Sequence, residues 1–337
     1  AIARPTHPNE PIPRHPMASE DKFKAEAGAT EIKMVLGWLV NYRQLLVNLP
    51  LNKFIAWSNE LQTILDSRKA AAKQLEENIG RLIHVAQVLP EIYHFLNQIR
   101  CLFERAKKRG KPIAVNEDCL ADCRLLQKYL RRAHEGISMN SLVYQLPSIV
   151  YRSDSCPHGL GGYSSNGRAW RWYIPEHLLY RATNNLLEHM ATIITVWIDI
   201  IEGTLQAEDC ILSMTDSSTS EGWHKKTNFK TDPADADCDF DPAEAQVRTE
   251  ISRHFAELCV DNKIVHYAQW FAGKENDVSD ALSRDDDRSD EQLTNLLYSH
   301  VPEQMPEHFA IAQGVSNHTL STIQTPKPSC TLVSTYL

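Results

Sequence analysis

The chain lacks a hydrophobic run long enough to cross a membrane. Its longest nearly apolar stretch, Met190 to Ile201, is broken by Asp199 and falls short of the roughly 20 apolar residues a span needs. A basic-then-apolar leader is missing from the amino terminus. These two absences make an intracellular protein with no membrane partner the expectation; between nucleus and cytoplasm, the nucleus is slightly favoured. The eight cysteines are scattered at 101, 119, 123, 156, 210, 238, 259 and 330, too thin over 337 residues to frame a small secreted domain, so reduced thiols are expected. Cys119 and Cys123 sit at helical spacing without a second pair, and Cys156-Pro157-His158 stands alone; neither makes a zinc site. A glycine-rich phosphate loop between strand and helix is also missing. The first residue is Ala rather than Met, which leads us to expect a piece of something longer. A chain with 42% hydrophobic and 23% charged residues and a net charge of −8 can bury a sizeable core, and two domains are expected.

Residues 1–30 carry five prolines among polar residues and read as a disordered lead-in. Residues 31–146 form a first region. Glu31 to Leu51 has the apolar text of a short hairpin. From Lys53 to Arg109 the period changes: Leu75, Ile79, Leu82, Ala86 and Leu89 recur in steps of three and four, Pro90 interrupts, and Ile92, Phe95, Ile99 and Leu102 resume the stripe. Amphipathic helices of a bundle follow from that spacing. Between Arg100 and Arg132, ten basic residues, among them Arg105, Lys107 and Lys108, face four acidic ones. This local excess in an acidic protein suits a phosphate backbone or, equally, a solvated helix face.

Residues 147–285 read as a second domain. Strands are expected at Ser148–Asp154, Gly159–Ser164 and Ala169–Ile174, the last two joined by a tight turn over Ser165–Arg168. A helix from Thr183 to Glu202 carries Leu187, Met190, Ile194, Trp197 and Ile201 on one face. The strand Cys210–Thr215, a helix from Pro242 to Val260, the strand Ile264–Trp270 and a helix over Asp277–Ser283 complete the order β-β-β-α-β-α-β-α. Residues 286–337 read as a flexible tail or linker. The fold class expected is α/β (α+β), a five-stranded mixed sheet with flanking helices preceded by a helical region.

Four acids fall where these elements begin or end: Asp154 closes the first strand, Glu188 lies in the opening turns of the first helix, Asp216 closes the fourth strand and Asp280 opens the last helix. Hard oxygen donors without a Cys/His pairing suit Mg²⁺ or Mn²⁺ rather than zinc. Each acid also has a structural reading. Asn185-Leu186-Leu187-Glu188 has the spacing of a capping box, and Asp216 before Ser217 and Ser218 has that of a helix cap.

Ser153-Asp154-Ser155, the run His158-Gly159-Leu160-Gly161-Gly162-Tyr163-Ser164, Glu188, Met214-Thr215-Asp216-Ser217, and Gly273-Lys274-Glu275-Asn276 with Asp280-Ala281-Leu282-Ser283-Arg284 resemble the ribonuclease H domain of retroelement reverse transcriptases. The intervals of 34, 28 and 64 residues between the four acids agree with that family. Upstream, Val35-Leu36-Gly37-Trp38, Leu49-Pro50 with Lys53 and Trp57, Ile79-Gly80-Arg81-Leu82 and Val85-Ala86-Gln87-Val88-Leu89-Pro90 are similar to the primer-grip hairpin, thumb and connection of such enzymes, closest to the DIRS-like tyrosine-recombinase retroelements.

The resemblance implies a ribonuclease H-like sheet and hydrolysis of the RNA strand of an RNA–DNA hybrid by two Mg²⁺ or Mn²⁺ ions. Asp154 bridges both ions in that scheme, Glu188 and Asp216 help hold one, and Asp280 holds the other. It also implies an upstream polymerase palm of the same polyprotein as a partner. Lys225, Lys226 and Asn228, beside Trp223, offer donors to the DNA strand, and the stretch containing Arg105, Lys107 and Lys108 continues the groove; the plainer reading of Lys225 to Asn228 is an exposed helix end.

The chain departs from the family in two places. The polymerase's aromatic-x-Asp-Asp signature is absent, so nucleotide addition is not expected. The loop Trp270–Asn276 lacks the histidine that related enzymes place there, and His266, inside a strand, reads as structural. These departures leave a second reading beside the enzyme: a decayed retroelement fragment that only binds nucleic acid.

Overall fold

A computed structural model describes residues 31–143, 145–174, 176, 179, 182–225, 242–285, 287–300 and 310–313 of the chain. The first unit opens with the antiparallel strands β1 (Ile32–Val35), β2 (Trp38–Asn41) and β3 (Leu46–Asn48), closed by β6 (Ile137–Ser138). The expected hairpin is thus the start of a four-stranded sheet. Helices α1 (Leu51–Ser67), α2 (Ala72–Ala86), α3 (Asn97–Arg109) and α4 (Glu117–Glu135) form the bundle, with the short strands β4 (Lys69–Ala70) and β5 (Ile113–Ala114) pairing between them. The stripe of α2 buries Leu75, Leu82 and Val85 against Leu61, Ile64, Ile92 and Leu96, each worth roughly 1.5–3 kcal/mol of burial. Pro90 ends that run and starts a 3₁₀ turn over Pro90–Leu96. Gly110, at φ 64°, closes α3 and donates its N–H to the Ala106 carbonyl. The Asn116 side chain caps α4 by accepting from the Cys119 N–H at 3.2 Å.

The second unit is built on β7 (Ile149–Cys156), β8 (Gly159–Ser164), β9 (Arg168–Tyr173), β10 (Cys210–Thr215) and β11 (Val265–Trp270). The strand order is β11-β10-β7-β8-β9, and β8 alone runs against the others. This is the ribonuclease H-like mixed sheet expected from the sequence. Helices α5 (Asn184–Ile201), α6 (Ser218–Lys225), α7 (Pro242–Asn262) and α8 (Asp277–Arg284) flank it.

The glycines of β8 set how closely these helices approach. A Cβ on Gly161 would lie 2.6 Å from the Leu282 Cβ of α8, and one on Gly162 would lie 2.3 Å from the Thr195 Oγ1 of α5. Successive strand residues point to opposite faces, so α8 and α5 press on β8 from opposite sides and only glycine leaves them room.

The segment after residue 285 departs from a free tail. Helix α9 (Asp290–His300) packs Leu293 and Leu297 against Val278, Ala281 and Leu282 of α8, and Arg171 ties it to β9 through Asp290 at 2.9 Å and the Arg288 carbonyl at 3.1 Å. Strand β12 (Ala310–Gln313) adds a sixth, parallel strand beside β9. The physical reason is a short apolar stripe, Leu293, Leu296 and Leu297, that finds a partner surface only once α8 is in place.

The two units meet along α4 and α7. Arg253 reaches Asp122 at 2.8 Å, Lys128 bridges Glu257 and Asp261 at 2.5 Å each, and Ala256 and Val260 pack against the core of the first unit. No helix among the described residues is long and apolar enough to cross a membrane.

Candidate functional site

Three of the four singled-out acids converge at one end of the sheet. Asp154 comes from the central strand β7, Asp216 from the residue after β10, and Glu188 from the first turns of α5; one carboxylate oxygen of each lies within 4.8 Å of the others. β7 runs on to Cys156, so Asp154 lies two residues before its end and not at it as expected; parallel pairing of β7 with β10, Met214 beside Arg152, brings it level with Asp216. Among the described residues no other group of His, Cys, Asp or Glu converges in this way.

The capping readings of these acids do not hold. Thr183, in extended backbone, caps α5 by accepting from the Leu186 N–H at 3.3 Å. Glu188 is turned the other way, its Oε1 accepting from the Ser155 hydroxyl at 2.9 Å and the Ser155 N–H at 3.3 Å. Likewise Ser217, not Asp216, caps α6 by accepting from the Ser220 N–H at 3.1 Å.

Asp280 stands on α8, outside the tight group but near enough for its charge to raise the pKa of both Asp154 and Asp216. The same helix supplies two groups that hold Asp154: the Ser283 hydroxyl donates to Oδ2 at 2.5 Å, and Arg284 Nη2 lies 3.3 Å from that oxygen. Arg284 also reaches Asp280 Oδ1 at 3.5 Å. The Asn276 side chain donates to the Ser153 carbonyl at 3.2 Å and lies near enough to Asp216 to lower its pKa, while the Asp216 backbone carbonyl accepts from the Trp270 indole at 2.8 Å. A Cβ on Gly273 would stand 2.9 Å from Asp216 Oδ2, so this loop glycine permits the acid's position.

Crowding and burial make the cluster proton-hungry. Burial first, then the charges of Asp154 and Asp216, push Glu188 up to about 8 against the bonds from Ser155. Burial likewise raises Asp154 to about 6, with Asp280 and Asp216 adding to it and Ser283 and Arg284 opposing. Asp216 is raised by burial and by Asp280. Glu188 Oε2 is buried and accepts no hydrogen bond. Carboxylates arranged in this way are matched by a divalent cation with hard-oxygen preference, which restores ionisation and supplies the missing partner.

The basic candidates lie elsewhere. Arg105, Lys107 and Lys108 are exposed on α3, which packs within the first unit, and Lys107 rests over the Phe103 ring. Lys225 is the last residue of α6, and Lys226 and Asn228 fall outside the described residues. His266 is structural as expected, its Nε2 2.9 Å from Ser213 Oγ. The sequence reading assigned no role to Ser283, Arg284, Asn276 or Trp270. For the first two the signal was present: positions three and four after Asp280 on a helix share its face.

No family model matches the sequence, and no curated protein matches it. Among solved structures the chain is similar, at 14% identity, to the foamy viral protease-reverse transcriptase in complex with an RNA/DNA hybrid, over 71% of this chain and 29% of that one with a TM-score of 0.24. Two further structures of the foamy viral enzyme with double-stranded DNA match at 13% and 12% identity over 71% of this chain and 45% and 38% of theirs, with TM-scores of 0.24 and 0.19. The chain spans less than half the length of each of these relatives. Likeness this faint fixes neither fold nor function; the strand order and the carboxylate cluster stand on their own geometry.

Proposed function

We propose that this chain is the thumb, connection and ribonuclease H portion of a retroelement reverse transcriptase of the DIRS-like kind, and that it hydrolyses the RNA strand of RNA–DNA hybrids. The observation that carries the reading is the convergence of Asp154, Glu188 and Asp216 from β7, α5 and β10, with Asp280 facing them from α8. Asp154, Glu188 and Asp216 would hold one Mg²⁺ or Mn²⁺ ion, and Asp154 with Asp280 a second. Bound there, such ions supply an activated water and neutralise the charge of the phosphodiester.

The chain's own groups do the positioning. Ser283 and Arg284 fix the Asp154 carboxylate, and Ser155 fixes Glu188. The hybrid is recognised by its A-like shape and its 2′-hydroxyls rather than by base sequence. An upstream polymerase palm of the same polyprotein completes the groove that the basic face of α3 continues.

The test is cleavage of a hybrid labelled in each strand by the full chain, with Mg²⁺, with Mn²⁺ and with chelator. Metal-dependent cutting of the RNA strand alone, lost in Asp154→Asn and Asp216→Asn, is the expected result. Cutting that survives both substitutions would show that the site is wrongly assigned. Hybrid binding without any product would favour the alternative, a decayed element that retains only a nucleic-acid-binding role.

A further inference from the structure

Of the chain's seven tryptophans, Trp270 alone stands out into solvent, 47% exposed, while the other six are buried or half-buried. It is the last residue of β11, an edge strand of the sheet, and pairs in register with Thr215, the residue before Asp216. The exposed indole is thus a direct neighbour of the carboxylate cluster. A single exposed apolar side chain is ordinary by itself; what distinguishes this one is how it is held and what it stands beside.

The indole Nε1–H donates to the Asp216 carbonyl at 2.8 Å, and the Trp270 backbone N–H donates to Glu221 Oε1 at 3.1 Å. The next N–H along, that of Phe271, donates to the Thr215 carbonyl at 3.1 Å. Phe271 itself is buried, with the Arg152 guanidinium 5.2 Å from its ring centroid, and anchors the strand end. An indole has one donor and no acceptor. With that donor taken by Asp216, the exposed part of the ring has only its carbon surface to offer. An aromatic surface fixed in advance loses little freedom when something packs on it.

We propose that the exposed ring of Trp270 is a platform for the RNA strand, on which the sugar of a nucleotide next to the scissile phosphate packs. The proposal rests on the hydrolase reading, because the strand whose phosphate is brought to Asp216 runs past the neighbour of Asp216. In a paired hybrid the bases are stacked inside the duplex, and the wide minor groove displays the ribose and its 2′-hydroxyl. A ring on the protein surface therefore meets the C–H groups of a sugar before it meets a base. The bond to the Asp216 carbonyl gives Trp270 a rival role, that of positioning the acid. The two roles separate cleanly: phenylalanine keeps a ring and loses the N–H, whereas glutamine keeps an N–H and loses the ring.

The full chain, Trp270→Phe and Trp270→Gln are compared in three measurements: binding of an RNA–DNA hybrid in Ca²⁺ followed by tryptophan fluorescence, Mn²⁺ affinity by calorimetry, and hybrid cleavage in Mg²⁺. We expect the hybrid to quench the parent's emission and this quench to vanish in Trp270→Phe. Hybrid affinity should fall about tenfold in Trp270→Gln, the scale of one stacked nucleotide, with KM rising to match. Trp270→Phe should recover most of that affinity, and Mn²⁺ affinity should hold in both. Should Trp270→Gln fail to fold, the parent's quench and its loss in Trp270→Phe still decide. Absence of the quench, parental affinity in folded Trp270→Gln, or no hybrid binding by the parent would overturn the platform. Weakened Mn²⁺ and hybrid binding in Trp270→Phe, with Trp270→Gln spared, would overturn it in favour of the positioning role. Quenching with the expected affinity losses but no cleavage by the parent would uphold the platform and sink the hydrolase reading, whereas cleavage with unchanged KM in Trp270→Gln would do the reverse.

Discussion

The guanidinium of Arg284 stands between two carboxylates, 3.3 Å from Asp154 of β7 and 3.5 Å from Asp280 of α8. It is a built-in cation at the place where the sheet and the last helix of the motif bring negative charge together. Arg284 is half exposed, at 50%, and its side chain has solvent to move into. In chelator, Arg284→Gln is expected to lose about 1 kcal/mol of stability, the modest figure appropriate to a solvent-screened pair. Saturating Mn²⁺ should recover that loss by replacing one cation with another. Thermal denaturation of parent and variant in both conditions checks this; an equal loss with and without Mn²⁺ would show that the guanidinium and the ion do not share carboxylates.

Glu188 sets a pH dependence. Its pKa is about 8 in the folded protein against about 4.5 for an ordinary glutamate, so between these values the native state holds a proton that the unfolded chain has released. Stability of the metal-free protein therefore falls as pH rises through this window, by at most about 1.4 kcal/mol per unit for this one group. Glu188→Gln removes that slope. Urea titrations in chelator at pH 6.0, 7.0 and 8.0 should show the parent-minus-variant difference shrinking steadily with pH.

The histidines work in the opposite direction. His189 is lowered to about 3 and His266 to about 4, both by burial first. The unfolded chain takes up these protons near pH 6.5 while the native state refuses them, so this contribution is lost as pH falls toward 4. Imidazole ¹⁵N signals at the neutral-ring position for both residues throughout pH 8 to 5 are the expected observation. A protonated ring at pH 6 would mean that water and charge reach these buried rings.

Gly161→Ala should be costly. Its Cβ would meet Leu282 Cβ at 2.6 Å and the backbone of Leu282 and Ser283 at 2.7 and 2.9 Å, and backbone cannot swing aside. A destabilisation of about 1–3 kcal/mol follows from overpacking. Because α8 carries Asp280, Ser283 and Arg284, Mn²⁺ affinity should weaken with it. Gly222→Ala, in α6 with nothing within 4 Å of the added carbon, is the control expected to leave Mn²⁺ affinity unchanged and to raise stability by about 0.5–1 kcal/mol through helix propensity.

The ion pair across the two units is the remaining case. Arg253 Nε lies 2.8 Å from the buried Asp122, whose carboxyl burial raises to about 6 despite that partner. Arg253→Met strands the carboxylate and should cost about 3 kcal/mol near pH 8. The cost should be smaller at pH 5, where Asp122 takes up a proton. Adding Asp122→Leu to the first change should recover much of the loss, and chemical denaturation of the parent and the two variants measures it.

Local pattern carried most of the architecture. The strands 159–164 and 210–215 lie where alternation and turn chemistry put them, and α2 and α5 follow apolar spacing. Asp216 at the end of its strand was visible for the same reason, since a strand's end is a local property, whereas β7 runs two residues past Asp154. Contacts between distant segments were not. Nothing in the text around Thr183 shows that Ser155 will draw Glu188 away from a capping role. Arg253 and Asp122 are 131 residues apart, and only the packing of the two units pairs them. The partner of β12 is equally hidden, because four residues carry too little periodicity to name the edge they join.

The seating of α9 bears on how this molecule is to be cut. Trimming the chain after residue 285, where acidic residues invite a boundary, would strip Leu293 and Leu297 from Val278, Ala281 and Leu282 and leave Arg171 without Asp290. A greasy surface would then face water directly behind the helix that bears Asp280. Any excised fragment meant to fold alone should run to residue 300 or beyond, and one ending earlier is expected to clump during expression.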